Sequence, residues 1–229
     1  MAEDIRDRLA RVSEQIARAA ERAGRSTEDI TLIAVSKTFD SATVQQAVDA
    51  GVRDLGENRV QEGITKAAQV KGDVRWHLIG HLQSNKARQA LETFRVIHTI
   101  DSRQLAERLD RIAGEIGRRP TVLLQVDLSR EPTKSGAQES ELPALVEALD
   151  STRNLELRGL MTLPPFFDSP EDARPYFRRL REILDGLNCN RPLESKLTEL
   201  SMGMSNDFEV AIEEGATMVR VGTAIFGAR

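Results

Sequence analysis

The chain has 229 residues, 40 % of them hydrophobic and 30 % charged, with a formal net charge of −4 at pH 7. Its 15 glycines and 8 prolines are too few for low-complexity or collagen-like sequence, so the composition is that of a folded globular protein. The slight acidity provides no global field for drawing polyanions, which sets a general nucleic-acid binder aside but leaves room for a local cationic pocket.

Ile5, Leu9, Val12, Ile16, Ala19 and Ala23 follow one another in steps of four and three, drawing one apolar stripe on a helix that Gly24 is placed to end. Beyond it, short apolar runs alternate with polar, helix-patterned stretches to the C-terminus. Strands are predicted at 30–36, 53–56, 75–80, 95–100, 121–128, 155–162, 197–202 and 217–222. Helical patterns lie between them, among others at 41–50 closed by Gly51, 105–116 closed by Gly117, 170–184, and 205–214 closed by Gly215. Ser41 and Ser205 are expected to cap the helices they open. Eight βα units at about 25 residues each, the short end of the range, use up the chain from Ile30 onward as one (β/α)8 TIM barrel. The expected organisation is an α/β fold in a single domain over 1–229, with a helix over 1–24 packing on a barrel over 30–229. A doubly wound open sheet is the alternative, but the turn Val35-Ser36-Lys37-Thr38-Phe39 lacks the glycines such sheets place after the first strand.

No apolar run approaches the ~18 residues of a membrane span, and Met1-Ala2-Glu3-Asp4 lacks the cationic-then-apolar order of a signal peptide. The lone Cys189 cannot form an internal disulfide and suits a reducing compartment, so a cytoplasmic protein without a membrane partner is expected.

In a barrel the reactive groups come from the C-terminal ends of the strands. The chain holds six lysines against 26 arginines, and one of the six, Lys37, ends the apolar run Leu32-Ile33-Ala34-Val35-Ser36. The period of two puts Ile33, Val35 and Lys37 on one face; if that face is the interior, the ammonium reaches the mouth, where a desolvated lysine is a nucleophile for carbonyls. A surface lysine past a strand end is the plainer reading, and the scarcity of lysine favours function. In Met218-Val219-Arg220-Val221-Gly222 the same alternation places Arg220 inside, where a guanidinium needs a partner: a carboxylate such as Glu199, a phosphate, or a ring nitrogen. The turn Ser201-Met202-Gly203-Met204-Ser205 and the pair Gly222-Thr223 follow strands seven and eight, where barrels often bind phosphate. Gly56-Glu57-Asn58, the run from Gly80 and His81 to Lys86, and Lys134-Ser135-Gly136 add polar groups to the mouth. His77, His81 and His98 do not form a metal-ligand pattern; His77 and His98 are expected as wall residues with hydrogen-bond partners.

Taken together, Ala34-Val35-Ser36-Lys37-Thr38, Gly56-Glu57-Asn58, the stretch from Trp76 to Lys86, Lys134-Ser135-Gly136, Arg158-Gly159-Leu160-Met161, the stretch from Leu200 to Ser205 and that from Val219 to Gly227 resemble the pyridoxal phosphate homeostasis proteins. The motifs span nearly the whole chain in order. The resemblance implies a fold type III barrel like the N-terminal domain of alanine racemases, carrying pyridoxal 5'-phosphate (PLP) as an aldimine of Lys37. It implies that Ser201, Gly222 and Thr223 hold the phosphate, that Asn58, His81 and Met161 belong to the same cofactor-binding set, and that Arg220 faces the pyridine nitrogen. Lys134 matches a second mouth lysine, a candidate secondary cofactor contact. Asp127, where asparagine is frequent, and Phe39 are the departures, and neither touches the implied ligands.

A racemase needs an acid/base group on each face of the cofactor, and the relatives that racemise take one from a second β domain that also builds their dimer. The only tyrosine, Tyr176, falls in a helical stretch where packing is its expected role. With no second base, the expectation is a monomeric PLP carrier in vitamin B6 homeostasis without strong catalysis or catalytic residues of its own, with PLP-dependent apo-enzymes as candidate partners. The rival is an enzyme, either an amino-acid racemase or a Schiff-base aldolase, and the aldolase would not need Arg220.

Overall fold

The computed structural model describes residues 4–129 and 135–227. Eight parallel strands, β1 (Thr31–Val35), β2 (Asp54–Glu57), β3 (Arg75–Leu78), β4 (Val96–Ile100), β5 (Thr121–Val126), β6 (Glu156–Thr162), β7 (Glu199–Met204) and β8 (Met218–Val221), pair in sequence order, and β8 returns to β1 to close the barrel. Around it run α1 (Ile5–Arg22), α2 (Ser41–Asp49), α3 (Val60–Ala67), α4 (Ala87–Thr93), α5 (Arg103–Glu115), α6 (Leu142–Asp150), α7 (Arg174–Asn188), α8 (Phe208–Glu213) and the short α9 (Thr223–Phe226). This is the (β/α)8 barrel with an added N-terminal helix that the alternation predicts, and every predicted strand is found with its ends displaced by no more than two residues.

The wall has two chemically different faces, because successive strand residues alternate sides. Ala34, Leu55, Trp76, Leu78, Ile97, Val122, Leu124, Val126, Leu160, Leu200, Met202, Val219 and Val221 join the apolar cluster between the strands and the helices. The positions between them carry Ile33, Leu123, Met161 and Met218, which form a separate small cluster, and the buried polar groups Asp54, His77, His98, Ser201 and Arg220. A hydrogen bond from β4 to β7, between His98 and Ser201, has to cross the lumen, which fixes this second set as the interior.

The helix α1 buries Ile5, Val12, Ile16, Ala19 and Ala20 against the barrel's closing end, where it meets α8 and α9. Gly24 ends it with φ +65°, a conformation that costs glycine little. Arg22 then bridges Glu209 and Glu213 on α8, and Arg25 donates to the carbonyls of Ile212 and Ala216.

Three expectations about helix starts are corrected. Asp40, not Ser41, caps α2, accepting from the Thr43 amide at 2.8 Å, since a carboxylate one residue earlier takes the orphan donor first. The residue preceding α8 is Asp207, so Ser205 lies in the turn before it and its hydroxyl is released for other contacts. The pattern at 170–184 divides into a 3-10 turn over Pro170–Ala173 and then α7, whose first turn accommodates the missing N–H of Pro175. No helix among the described residues is long and apolar enough to cross a membrane.

Candidate functional site

At the C-terminal end of β1 the chain turns sharply through Ser36, half-buried Lys37 and Thr38. Thr38 adopts φ 70°, the left-handed region that a β-branched residue rarely occupies. The surroundings hold it there: the Thr38 amide donates to Glu62 on α3 at 3.1 Å, the Ser36 amide donates to the Gly56 carbonyl, and the Phe39 amide closes onto Ser36. Beneath the turn lies a buried triad that no sequence motif displays. Lys66 of α3 donates to the Ser36 carbonyl at 2.7 Å and to Glu57 Oε1 at 2.6 Å, and the Ser36 hydroxyl donates to the same carboxylate oxygen. Burial pushes the Glu57 carboxyl above its ordinary pKa despite these donors, and its Oε2 has no partner. Of the described lysines Lys66 is the buried one, and it fixes the backbone from which Lys37 projects.

Across the barrel, β7 ends at Gly203 and Met204. Gly203 has φ +90°, and a Cβ there would come within 2.5 Å of Ala211 and 2.9 Å of the Phe208 backbone, so only glycine lets the chain fold back so closely. Asp207 accepts from the Met204 amide at 2.6 Å and locks the turn. Ser205 is thereby brought to β8, where its hydroxyl accepts from the amides of Gly222 at 3.1 Å and Ala224 at 3.5 Å. Exposed Thr223 lies between those two amides. Two backbone donors, a hydroxyl and a threonine therefore converge at the opening. The sequence offered Ser205 as a helix cap and as part of the glycine-containing turn; its different depth from Ser201 was not legible.

The other predicted residues take distinct places. Asn58 is half-buried after β2, and a Cβ on Gly80 would fall 2.2 Å from its carbonyl oxygen, so glycine is what lets the loops after β2 and β3 meet. His81 is exposed in the β3 loop with Nδ1 3.4 Å from Asp101. Met161 is fully buried in the interior apolar cluster below the mouth. Lys134 lies outside the described residues. Among the described residues no group of His, Cys, Asp or Glu is arranged to hold a metal ion.

Arg220 lies on the floor, 3 % exposed. Its Nη1 donates to Ser201 Oγ at 2.6 Å and its Nη2 to the Thr162 carbonyl at 2.9 Å. The sequence left Glu199 open as its counter-ion, but Glu199 accepts from the hydroxyls of Thr198 and Thr217 instead. Burial lowers the Arg220 pKa to about 10, with Asp207 opposing. Ser201, fully buried, is engaged below the opening, and Ser205 is the hydroxyl at the opening. The expected partners of His77 and His98 are largely each other: His98 Nδ1 meets Ser201 Oγ at 2.9 Å, His98 Nε2 meets His77 Nδ1 at 2.9 Å, and His77 Nε2 meets Asp54 at 2.8 Å.

An amine at a strand end, a pair of backbone amides gathered on the Ser205 hydroxyl and an interior arginine on one barrel define the comparison with known proteins. The alanine racemase N-terminal domain matches residues 8–229. The pyridoxal phosphate homeostasis protein of Aquifex aeolicus strain VF5 is 43 % identical over 224 residues, 97 % of each chain. PipY of Synechococcus elongatus PCC7942, solved with PLP bound, superposes with a TM-score of 0.85 at 42 % identity over 98 % of this chain and 100 % of its own. An alanine racemase of Clostridium difficile 630 shares the fold alone, with a TM-score of 0.74 at 18 % identity, and this chain covers 57 % of it. The chain belongs to the pyridoxal phosphate homeostasis protein family, built on the alanine racemase N-terminal domain.

Proposed function

We propose that this chain binds pyridoxal 5'-phosphate at the barrel mouth and carries or buffers it in vitamin B6 homeostasis, with residues 1–229 acting as one cofactor-binding domain. The donor set present fits that group. Lys37 offers a primary amine for the aldehyde carbon; Gly222, Thr223 and Ser205 offer amides and hydroxyls for the phosphate. Ser201 serves by supporting Arg220. Asn58, His81 and Met161 would complete the set of residues that holds the cofactor. When bound, the cofactor supplies an electrophilic carbon and an electron-withdrawing ring.

The observation that carries the reading is the setting of Arg220. It is buried, held by a hydroxyl and a carbonyl, and in no ion pair among the described residues. A guanidinium only donates, so beside a ring nitrogen it keeps that nitrogen unprotonated and weakens the ring as an electron sink. That suits retention and delivery better than chemistry at an α-carbon. We extend the reading to a cytoplasmic monomer that passes the cofactor to PLP-dependent apo-enzymes, with Lys134 as a secondary contact.

The test is the absorbance spectrum of the purified protein, then borohydride trapping and mapping of the modified lysine. A visible band and an adduct at Lys37, both absent in Lys37→Ala and retained in Lys134→Ala, are expected. Colourless protein that cannot be reconstituted with PLP overturns the cofactor reading. Sustained loss of the α-proton of amino acids in deuterated water, at enzymic rates, would replace the carrier with a racemase.

A further inference from the structure

Five side chains from five strands form one continuous hydrogen-bonded line through the barrel interior: Arg220, Ser201, His98, His77 and Asp54. Asp54 accepts in addition from Arg75 at 2.5 Å, and Arg75, half exposed, brings the line to the surface at the N-terminal end of β3. The upper end lies at the proposed cofactor site and the lower end at the opposite face of the barrel.

We propose that Asp54, His77 and His98 are positioning residues for Arg220, a one-directional relay whose two ends allow a single proton arrangement and so hold the guanidinium as a fixed donor under the cofactor. The inference rests on Arg220 lying beneath the cofactor ring. Its logic follows from donor and acceptor counts. Arg220 can only donate, so Ser201 Oγ accepts from it and keeps its one hydrogen available for His98 Nδ1; with that hydrogen given, the rest of the line is fixed. His98 must then carry its proton on Nε2 and donate to His77 Nδ1, and His77 must carry its own on Nε2 and donate to Asp54. Read from the other end, the Asp54 carboxylate can only accept, which dictates the same tautomer at His77 and then at His98. The two ends agree, and each ring nitrogen has one role. Burial is the main cause that holds the pKa values of both imidazoles below the ordinary value and so keeps them neutral, and protonation of His98 is further opposed by any charge on His77 and by the standing charge of the Arg220 guanidinium. Buried networks in which each member is satisfied rigidify their surroundings. Metal binding does not explain these histidines, since their nitrogens face other side chains of the line.

The relay can be read directly on the full chain without cofactor, by long-range nitrogen–proton NMR of histidine-labelled protein at neutral pH. Both His77 and His98 are expected as neutral Nε2–H tautomers; an Nδ1–H tautomer or a charged ring at either overturns the proposal. On PLP-loaded protein, His98→Leu breaks the line and His98→Gln rebuilds it, because the amide oxygen accepts from Ser201 and the amide nitrogen donates to His77. His98→Leu is expected to shift the absorbance of the bound cofactor and to weaken its retention about tenfold, the worth of one hydrogen bond to a charged group. His98→Gln is expected to restore both. Equal effects of the two variants, or none from either, overturn the relay as more than packing. If the protein takes up no PLP, the cofactor reading fails while the tautomers still decide the relay; should His98→Leu not fold, they decide it again.

Discussion

The two faces of the barrel wall are built from the same eight strands and obey different rules. The outer face is apolar from β1 to β8 and seals the helices to the sheet. The inner face mixes a four-residue apolar cluster with a buried line of arginine, serine, two histidines and aspartate. An apolar wall is stabilised in proportion to the area it removes from water, whatever the order of its residues. A polar lumen is tolerated only when each donor meets an acceptor, so its residues are specified one at a time. Stability therefore belongs mainly to the outer face, and the tuning of the site mainly to the inner one.

That division breaks most visibly with a large-to-small change on the outer face. Leu124→Ala removes a fully buried side chain of β5 and is expected to cost about 2–5 kcal/mol of unfolding free energy, measured by urea titration. The absorbance of bound cofactor in the remaining folded protein should not change. A spectral shift from Leu124→Ala would mean that the two faces are not separable.

On the inner face, Arg220→Glu is expected to do the converse. The Ser201 and Thr162 acceptors lose their donor, a loss of about 1–3 kcal/mol. The larger effect is spectroscopic, because an acid beneath the ring can accept from a protonated nitrogen where arginine cannot. An unchanged spectrum of the PLP-loaded variant would put Arg220 away from the ring.

The sequence displays the two faces unequally. Short apolar runs set between helix-patterned stretches located all eight strands, because strands of a parallel barrel are covered by helices on one side and filled on the other. Strand ends were harder: Leu197 is buried and apolar yet precedes β7, which starts at Glu199. Lys37 was legible as a charged residue ending an apolar run, and Arg220 as one set by alternation within such a run. The relay was not, since its bonds join residues far apart in the chain, His98 and Ser201 by 103 positions, and no local spacing encodes them. The same holds for Lys66, whose carboxylate partner lies on the preceding strand, nine residues back, although a glutamate ending an apolar strand was a signal for a buried cation.

The inner face should also leave a mark on the pH dependence of stability. His77 and His98 are neutral when folded, with pKa values below the ordinary 6.5. As pH falls through 6.5 the unfolded chain binds protons that the folded chain does not, so their contribution is present above that pH and is lost below it. Each imidazole is expected to contribute a slope of up to about 1.4 kcal/mol per pH unit between pH 6.5 and its folded pKa. His98→Gln keeps the hydrogen bonds but cannot titrate, so urea titrations at pH 5 and 7 should show a flatter dependence than the parent. Because Glu57, whose shift is opposite in sign, is common to both proteins, the difference isolates the histidine. Identical slopes would mean that His98 already takes up its proton in the folded state.

The smallest expected effect comes from the joint between the faces, where the Lys37 turn leaves the wall. Thr38 at φ 70° holds a conformation that costs a β-branched residue about 1–3 kcal/mol and glycine little. Thr38→Gly removes that strain and keeps the backbone bond to Glu62, while glycine's greater freedom in the unfolded chain takes back about 0.4–1 kcal/mol. The net change should be a stabilisation of about 1 kcal/mol, seen as a higher urea midpoint at constant slope. The turn itself should become looser, since two of its ties, Lys66 to Ser36 and Ser36 to Glu57, restrain the residue before Lys37 and not the residue after it. Slower borohydride-trappable capture of PLP by a more stable protein would show that the strained threonine serves to aim the lysine. Unchanged capture would assign that aim to the Lys66–Glu57 pair alone, and a lower urea midpoint would show that Thr38 makes contacts worth more than its strain.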